Sequence, residues 1–171
     1  MAADPVLVRR MTRDDIALVR DAVMALGWDA KRSLYEGYIA DQEADRRIVL
    51  LAFWEGEFAG YLTVIWESRY PPFRDAGVPE INDFNVLPDL RRRGIGTRLM
   101  DEAEAVIATR SPVAGIGVGM MPSYGPAQRL YARRGYLPDG GGLWSHDHYV
   151  ALNETVVVDH DLYLCLTKAL G

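Results

Sequence analysis

The sequence predicts one α+β domain on a mixed sheet, mostly antiparallel with one parallel strand pair, flanked by helices. Three observations predict it. One strand, helix, strand run between Glu80 and Met120 supplies a single βαβ unit and so a single parallel pair. The other strand-like segments look antiparallel, and a doubly wound fold would need several such units. Finally, 171 residues, 49% of them hydrophobic, suffice for a full core with no disulfide or metal.

Taken in order, Val6, Val8 and Met11 mark a first strand. Thr12 and Asp15 then stand at capping-box spacing before Ile16, Val19, Val23 and Leu26, which recur at helical period until Gly27. A second helix over 30–40 carries Leu34, Tyr35, Tyr38 and Ile39 on one side. Ile48 to Trp54 and Phe58 to Trp66 form a hairpin across Glu55, Gly56 and Glu57, and the proline-bearing stretch 68–79 is a loop. Glu80 to Leu87 is a strand, 94–109 a helix with Ile95, Leu99, Ala103, Val106 and Ile107 inward, and Val113 to Met120 a strand. A short helix over 126–134 stops at Gly135, and two strands follow, one within 143–152 and one near 156–167. No repeat or linker-like block interrupts the chain, so residues 1–171 are expected to form a single domain.

Composition narrows the function. Nineteen Lys and Arg against 24 Asp and Glu give a net charge of -5, which argues against a nucleic-acid track and suits a cationic small molecule or peptide. The longest apolar run, Ile48 to Trp54, is far below the roughly 18 residues of a membrane span. Residues 1–13 lack an apolar leader core, and Cys165 is the lone cysteine, which rules out an intramolecular disulfide or a Cys-rich zinc site. A cytoplasmic protein is expected.

The chemistry concentrates where a strand gives way to a helix, at Arg91-Arg92-Arg93-Gly94-Ile95-Gly96-Thr97. Unpaired N–H groups and the helix dipole attract an anion there, glycine lets phosphate oxygens come close, and arginine adds charge-assisted contacts. The pattern implies pyrophosphate binding. A dinucleotide fingerprint fails for want of a third glycine, and a P-loop for want of Gly-Lys-Ser/Thr. Gly115, Gly117 and Gly119 lie inside a strand, where tight packing or a ligand's close approach suits them better than phosphate cradling.

Arg91-x-x-Gly94-x-Gly96, preceded by Val86-Leu87-Pro88, resembles the R/Q-x-x-G-x-G/A motif of the GNAT superfamily of acetyl-CoA-dependent N-acetyltransferases. About 35 residues on, Ala127-x-x-Leu130-Tyr131-x-x-x-Gly135-Tyr136 resembles that family's A-x-x-L-Y-x-x-x-G-F segment. The resemblance implies the GNAT fold, whose parallel pair splays apart, and acetyl-CoA as cosubstrate. It assigns the pyrophosphate to the backbone of Arg91, Arg92, Arg93, Gly94, Ile95, Gly96 and Thr97. The pantetheine arm falls to the backbone of Phe84, Asn85 and Val86, and the acetyl group to a notch between Val86 and Gly117. Tyr131 matches the general acid. Many members carry an asparagine seven residues before that tyrosine; Tyr124 stands there, and Ser123 or the Tyr124 backbone is the substitute.

An amine with a pKa near 10.4 is neutral in about one molecule per few thousand at pH 7, so a carboxylate is expected to help expose its lone pair. Glu80 lies eleven residues before Arg91, where histone-acetylating members carry their base. Glu67 and Asp83 compete for that role. Strand alternation groups Glu80 with Asn82, Phe84 and Val86 and turns Asp83 the other way with Asn85. Trp66, Tyr70, Pro71, Pro72 and Phe73, with Tyr35 and Tyr38, occupy segments that frame the acceptor in this family. Periodicity favours the core for both helix tyrosines, which leaves the proline-bearing loop as the better candidate.

His146, Asp147, His148, Asp159, His160 and Asp161 invite a metal assignment, but no third ligand at a recognised spacing accompanies His146 and His148, so no metal is expected. The expected reaction is direct acetyl transfer to a primary amine of a small molecule or peptide. Neither nucleic acid nor membrane takes part, and exposed terminal strands would permit a homodimer. A non-catalytic acyl-CoA sensor or scaffold is the alternative.

Overall fold

A computed structural model describes residues 5–171. The leader reading of residues 1–13 begins in four residues outside that range. Five α-helices and a mixed sheet with one parallel pair make up the described part; the sheet is as the sequence predicts, and one helix is additional to the four expected. No helix in it is long and apolar enough to cross a membrane. By contacts the chain divides into two compact units, one of residues 1–66 with 82–106, the other of 67–81 with 107–171.

In the first unit β1 (Val6–Arg10) pairs antiparallel with β2 (Arg47–Trp54), from Val6↔Trp54 to Arg10↔Leu50. β2 pairs antiparallel with β3 (Glu57–Ile65). The hairpin turn puts Glu55 at φ 50 and Gly56 at φ 89, the left-handed pair that a two-residue turn between twisted strands requires. α1 (Ile16–Met24) and α2 (Arg32–Glu43) bury Ile16, Val19, Val23, Tyr35 and Ile39 with Val49, Leu51 and Tyr61 of the strands. Gln42 fixes α2 to its strand by donating to the Met11 carbonyl at 2.9 Å while accepting from the Val49 N–H at 2.9 Å. The Thr12 cap forms as read. Its N–H donates to the Asp15 carboxylate at 2.8 Å, and Arg9 holds both oxygens of that carboxylate at 2.7 Å. The Arg9 hydrogen bond is the chief reason the Asp15 carboxyl is lowered to about 2.

β4 (Glu80–Val86) passes from one unit into the other. Its parallel ladder with β5 (Val113–Gly119) consists of Glu80↔Gly115 and Ile81↔Ile116. β5 also pairs antiparallel with β8 (Leu162–Ala169), which pairs on its other side with β6 (Leu137–Ser145). The two-residue β7 (His148–Tyr149) closes on β6. α4 (Ile95–Ala108) and α5 (Gly125–Arg133) sit within a residue or two of their predicted bounds.

Three expectations change. The stretch 68–79 is not all loop: α3 (Pro71–Ala76) forms there because its prolines occupy the first helical positions, which need no N–H, and Gly77 at φ 65 ends it. β6 begins at Leu137, before the predicted 143, because a bulge between Pro138 and Leu143, with Gly140 and Gly142 left-handed, hides its alternation. β8 begins only at Leu162, since the Asp159 side chain accepts from the Asp161 N–H and makes a turn there, leaving Val157 and Val158 exposed.

Candidate active site

The turn before α4 is open to solvent. Arg91, Arg92, Arg93 and Gly94 are exposed, whereas Ile95 and Leu99 are buried and anchor the helix behind them. Arg92 at φ 61 and Gly94 at φ 82 are both left-handed. The first helical hydrogen bond runs from the Arg98 N–H to the Gly94 carbonyl at 2.9 Å. The N–H groups of Ile95, Gly96 and Thr97 therefore have no carbonyl within the helix to bond, which is the condition for anion capture. Arg91 turns back and donates to the Val86 carbonyl at 3.1 Å, while Arg93 lies over the Trp54 ring at 5.4 Å. A recess of about 380 Å³ adjoins this turn, lined by Pro5, Trp54, Arg93, Gly94, Thr97 and Arg98 among others.

Upstream in the same unit, Phe84, Asn85 and Val86 are half-buried. β3 and β4 approach so closely that a Cβ on Gly60 would overlap the Asn85 carbonyl, and only glycine fits there. Asp83 stands at φ 47, in the left-handed region, and its side chain lies with that of Asn85, as the alternation read along β4 groups them. Its carboxylate accepts from Tyr38 at 2.9 Å and Tyr61 at 2.8 Å on one oxygen and from Asn85 at 2.8 Å on the other. Burial, reinforced by the Asp83 charge, pushes both tyrosines well above the ordinary phenol range. Sequence periodicity gave Tyr38 to the core; it is half-buried, and its hydroxyl reaches this carboxylate.

In the second unit Glu80 accepts a 2.5 Å hydrogen bond from Ser68, whose oxygen accepts in turn from the Tyr70 N–H at 3.0 Å. Glu67 is exposed. Tyr70 and Phe73, expected to frame an acceptor, are core residues packed with Trp144 and Cys165. The reason lies on β5: a Cβ at Gly115 would stand 2.5 Å from the Phe73 ring, one at Gly117 3.2 Å from Tyr163, and one at Gly119 2.5 Å from Tyr124. Aromatic rings pack tightly on Gly115 and Gly119 and less tightly on Gly117.

Tyr131 on α5 is buried and 6.1 Å from the Tyr136 ring centroid. Burial raises its pKa, so it holds its proton more firmly than a free phenol. Ser123 is exposed in the turn before α5. Tyr124 is tied down, with its ring over Gly119 and its hydroxyl 2.9 Å from His160 Nδ1.

The histidines separate. His148 bonds Glu154 at 2.6 Å, whereas His146 Nε2 lies 3.7 Å from both Asp159 and Asp161. Those two aspartates supply the company that spacing did not reveal, in an exposed ion-pair group whose ligand atoms lie within 4.8 Å of one another.

Comparison with known proteins defines the class. The profile of the acetyltransferase (GNAT) family matches residues 18–136, and the chain belongs to that family. Solved structures agree on the fold. A GNAT-family acetyltransferase from Desulfovibrio desulfuricans superposes with a TM-score of 0.71 at 18% identity, covering 97% of this chain and 99% of that one. An acetyltransferase of Salmonella typhimurium that modifies the N-terminal serine of a 50S ribosomal subunit protein gives 0.73 at 12% identity, over 99% and 97%. Another from Salmonella typhimurium, solved with its cofactor acetyl-CoA, gives 0.68 at 15%, over 98% and 95%. No curated protein matches the sequence. Acetyl-CoA is the cosubstrate of this family, and the chain is an acyltransferase of that class.

Proposed function

We propose that this protein is an N-acetyltransferase that moves the acetyl group of acetyl-CoA directly to a primary amine of a small molecule or peptide, with residues 1–171 acting as one catalytic domain. One observation carries it: the exposed turn at 91–94, with Arg92 and Gly94 left-handed, opens onto the unbonded N–H groups of Ile95, Gly96 and Thr97. That is chemistry for a diphosphate. The backbone of Phe84, Asn85 and Val86, seven or fewer residues before the turn, takes the pantetheine arm.

In the reaction the amine nitrogen attacks the thioester carbonyl carbon, a C–N bond forms and the C–S bond breaks. The amine proton goes to Glu80, directly or through a water, and the thiolate of CoA takes one from Tyr131. Glu80 is held by Ser68, which supports an oriented proton acceptor. A free phenol is already about 1.5 pKa units above a thiol, and burial widens the gap for Tyr131. Its donation therefore requires a thiolate raised by the same exclusion of water. Ser123 and the Tyr124 backbone stay in the cofactor-binding set. No nucleic acid, membrane or metal enters this reading, which suits a cytoplasmic enzyme; exposed terminal strands leave a homodimer open to it.

The test is Tyr131→Phe. Turnover should fall about 10²-fold, with acetyl-CoA affinity by calorimetry unchanged. Unchanged turnover removes Tyr131 from the chemistry. Binding of acetyl-CoA with no thiol release across polyamines, aminoglycosides, amino acids and N-terminal peptides would favour an acyl-CoA sensor instead.

A further inference from the structure

Asp83 is a half-buried carboxylate whose hydrogen bonds all come from neutral groups: Tyr38, Tyr61 and Asn85. Among the described residues no cation lies within ion-pair distance of it. The nearby guanidinium of Arg47 makes its contacts with other groups, and its Nε has no hydrogen-bond partner. It stacks 4.3 Å from the Tyr38 ring, donates to Thr63 at 2.6 Å and lies 3.6 Å from Asp41. A partly desolvated anion without a counter-charge is costly, and a fold that keeps one in a left-handed, non-glycine position mid-strand is carrying two costs at one residue.

A carboxylate offers about four lone-pair positions, and three are filled, two on one oxygen and one on the other. The free position can accept one N–H. Asp83 also immediately precedes Phe84, the first residue of the backbone given above to the pantetheine arm.

We infer that Asp83 holds the ammonium of the acceptor, and that the substrate class is an amine with no free carboxylate beside it. An α-amino acid would bring its carboxylate to within a few ångströms of Asp83, where the two like charges repel. Alkylamines and amidated or peptide-linked amino acids fit, and free amino acids do not. This deepens the acetyl-transfer reading and rests on it for the location of the acceptor. In this reading Asp83 binds the amine and is not the group that takes its proton.

The probes are alaninamide and alanine, used with the full chain at fixed ionic strength, with binding measured at about pH 6, where both amines are cationic. Two readouts are taken: calorimetric binding of each probe in the presence of CoA, and CoA release from acetyl-CoA. Alaninamide should be favoured over alanine by at least about tenfold in both. Asp83→Asn keeps the backbone kink, because asparagine tolerates left-handed φ, and removes the charge. It should weaken alaninamide about tenfold and collapse the preference to below twofold, with acetyl-CoA affinity intact. Tyr38→Phe keeps the charge and should keep the preference.

Equal binding of the two probes by the unmodified protein overturns the inference without any variant, as does a preference that survives Asp83→Asn. Alaninamide binding that depends on Asp83 without CoA release from any amine would support the ammonium site and overturn acetyl transfer. CoA release with no discrimination would do the reverse.

Discussion

Glycine does opposite work in the turn at 91–97 and in strand β5. At Gly94 it supplies a conformation: φ 82 lets the chain turn into α4, and a Cβ there would meet nothing within 4 Å. At Gly115 and Gly119 it supplies volume: the space a Cβ would take is already filled by Phe73 and Tyr124. The first kind leaves backbone N–H groups open to a ligand. The second closes the protein around its own aromatic rings, and that is why Tyr70 and Phe73 end in a core with Trp144 when their loop position suggested a binding surface.

Substitution can break this comparison. Gly115→Val forces a branched side chain into the Phe73 ring and should cost about 2–3 kcal/mol in chemical denaturation, with acetyl-CoA affinity unchanged in the surviving folded protein. If affinity falls while stability holds, β5 is a ligand surface after all. Gly94→Ala should behave inversely, losing roughly 1–2 kcal/mol to left-handed strain but weakening acetyl-CoA about tenfold by calorimetry. Gly117→Ala sharpens the volume argument. Its Cβ would stand 3.2 Å from Tyr163, a lesser conflict, so a loss below about 1 kcal/mol is expected, and a loss matching that of Gly115→Val would refute the ranking.

The acid dependence of stability gives a reference against which both regions can be measured. Asp15, lowered from 3.8 to about 2 chiefly by Arg9, contributes stability that is complete above its unfolded pKa and is lost as pH falls through its folded value. Because Arg9 is partly solvent-exposed, Asp15→Asn should cost only about 1–2 kcal/mol at pH 7. That difference should vanish between about pH 4 and pH 2. A difference constant down to pH 2 would place the effect in packing.

The two carboxylates of β4 show where reading the chain succeeds and where it stops. Glu80 was legible as a candidate from its offset to Arg91, and the structure gives it a defined partner in Ser68. Asp83 was legible only as a competitor. Its significance comes from Tyr38 and Tyr61, 45 and 22 residues away in sequence, and from a backbone kink that no residue type announces. His146 with Asp159 and Asp161 is a second instance, because the turn at Asp159 sets that group, not ligand spacing.

The sequence by itself determined the element order, the single parallel pair, the hairpin turn at Glu55 and Gly56, the Thr12 cap and the glycine-containing turn before α4. Each of these is specified by neighbours a few residues apart, through periodicity, backbone conformation or an unpaired N–H. Only the tertiary structure decided which glycines hold rings, which tyrosine hydroxyls meet Asp83 and which carboxylate lacks a counter-charge. Those outcomes depend on distances between segments remote in the chain, and volume and charge balance are settled only once such segments meet.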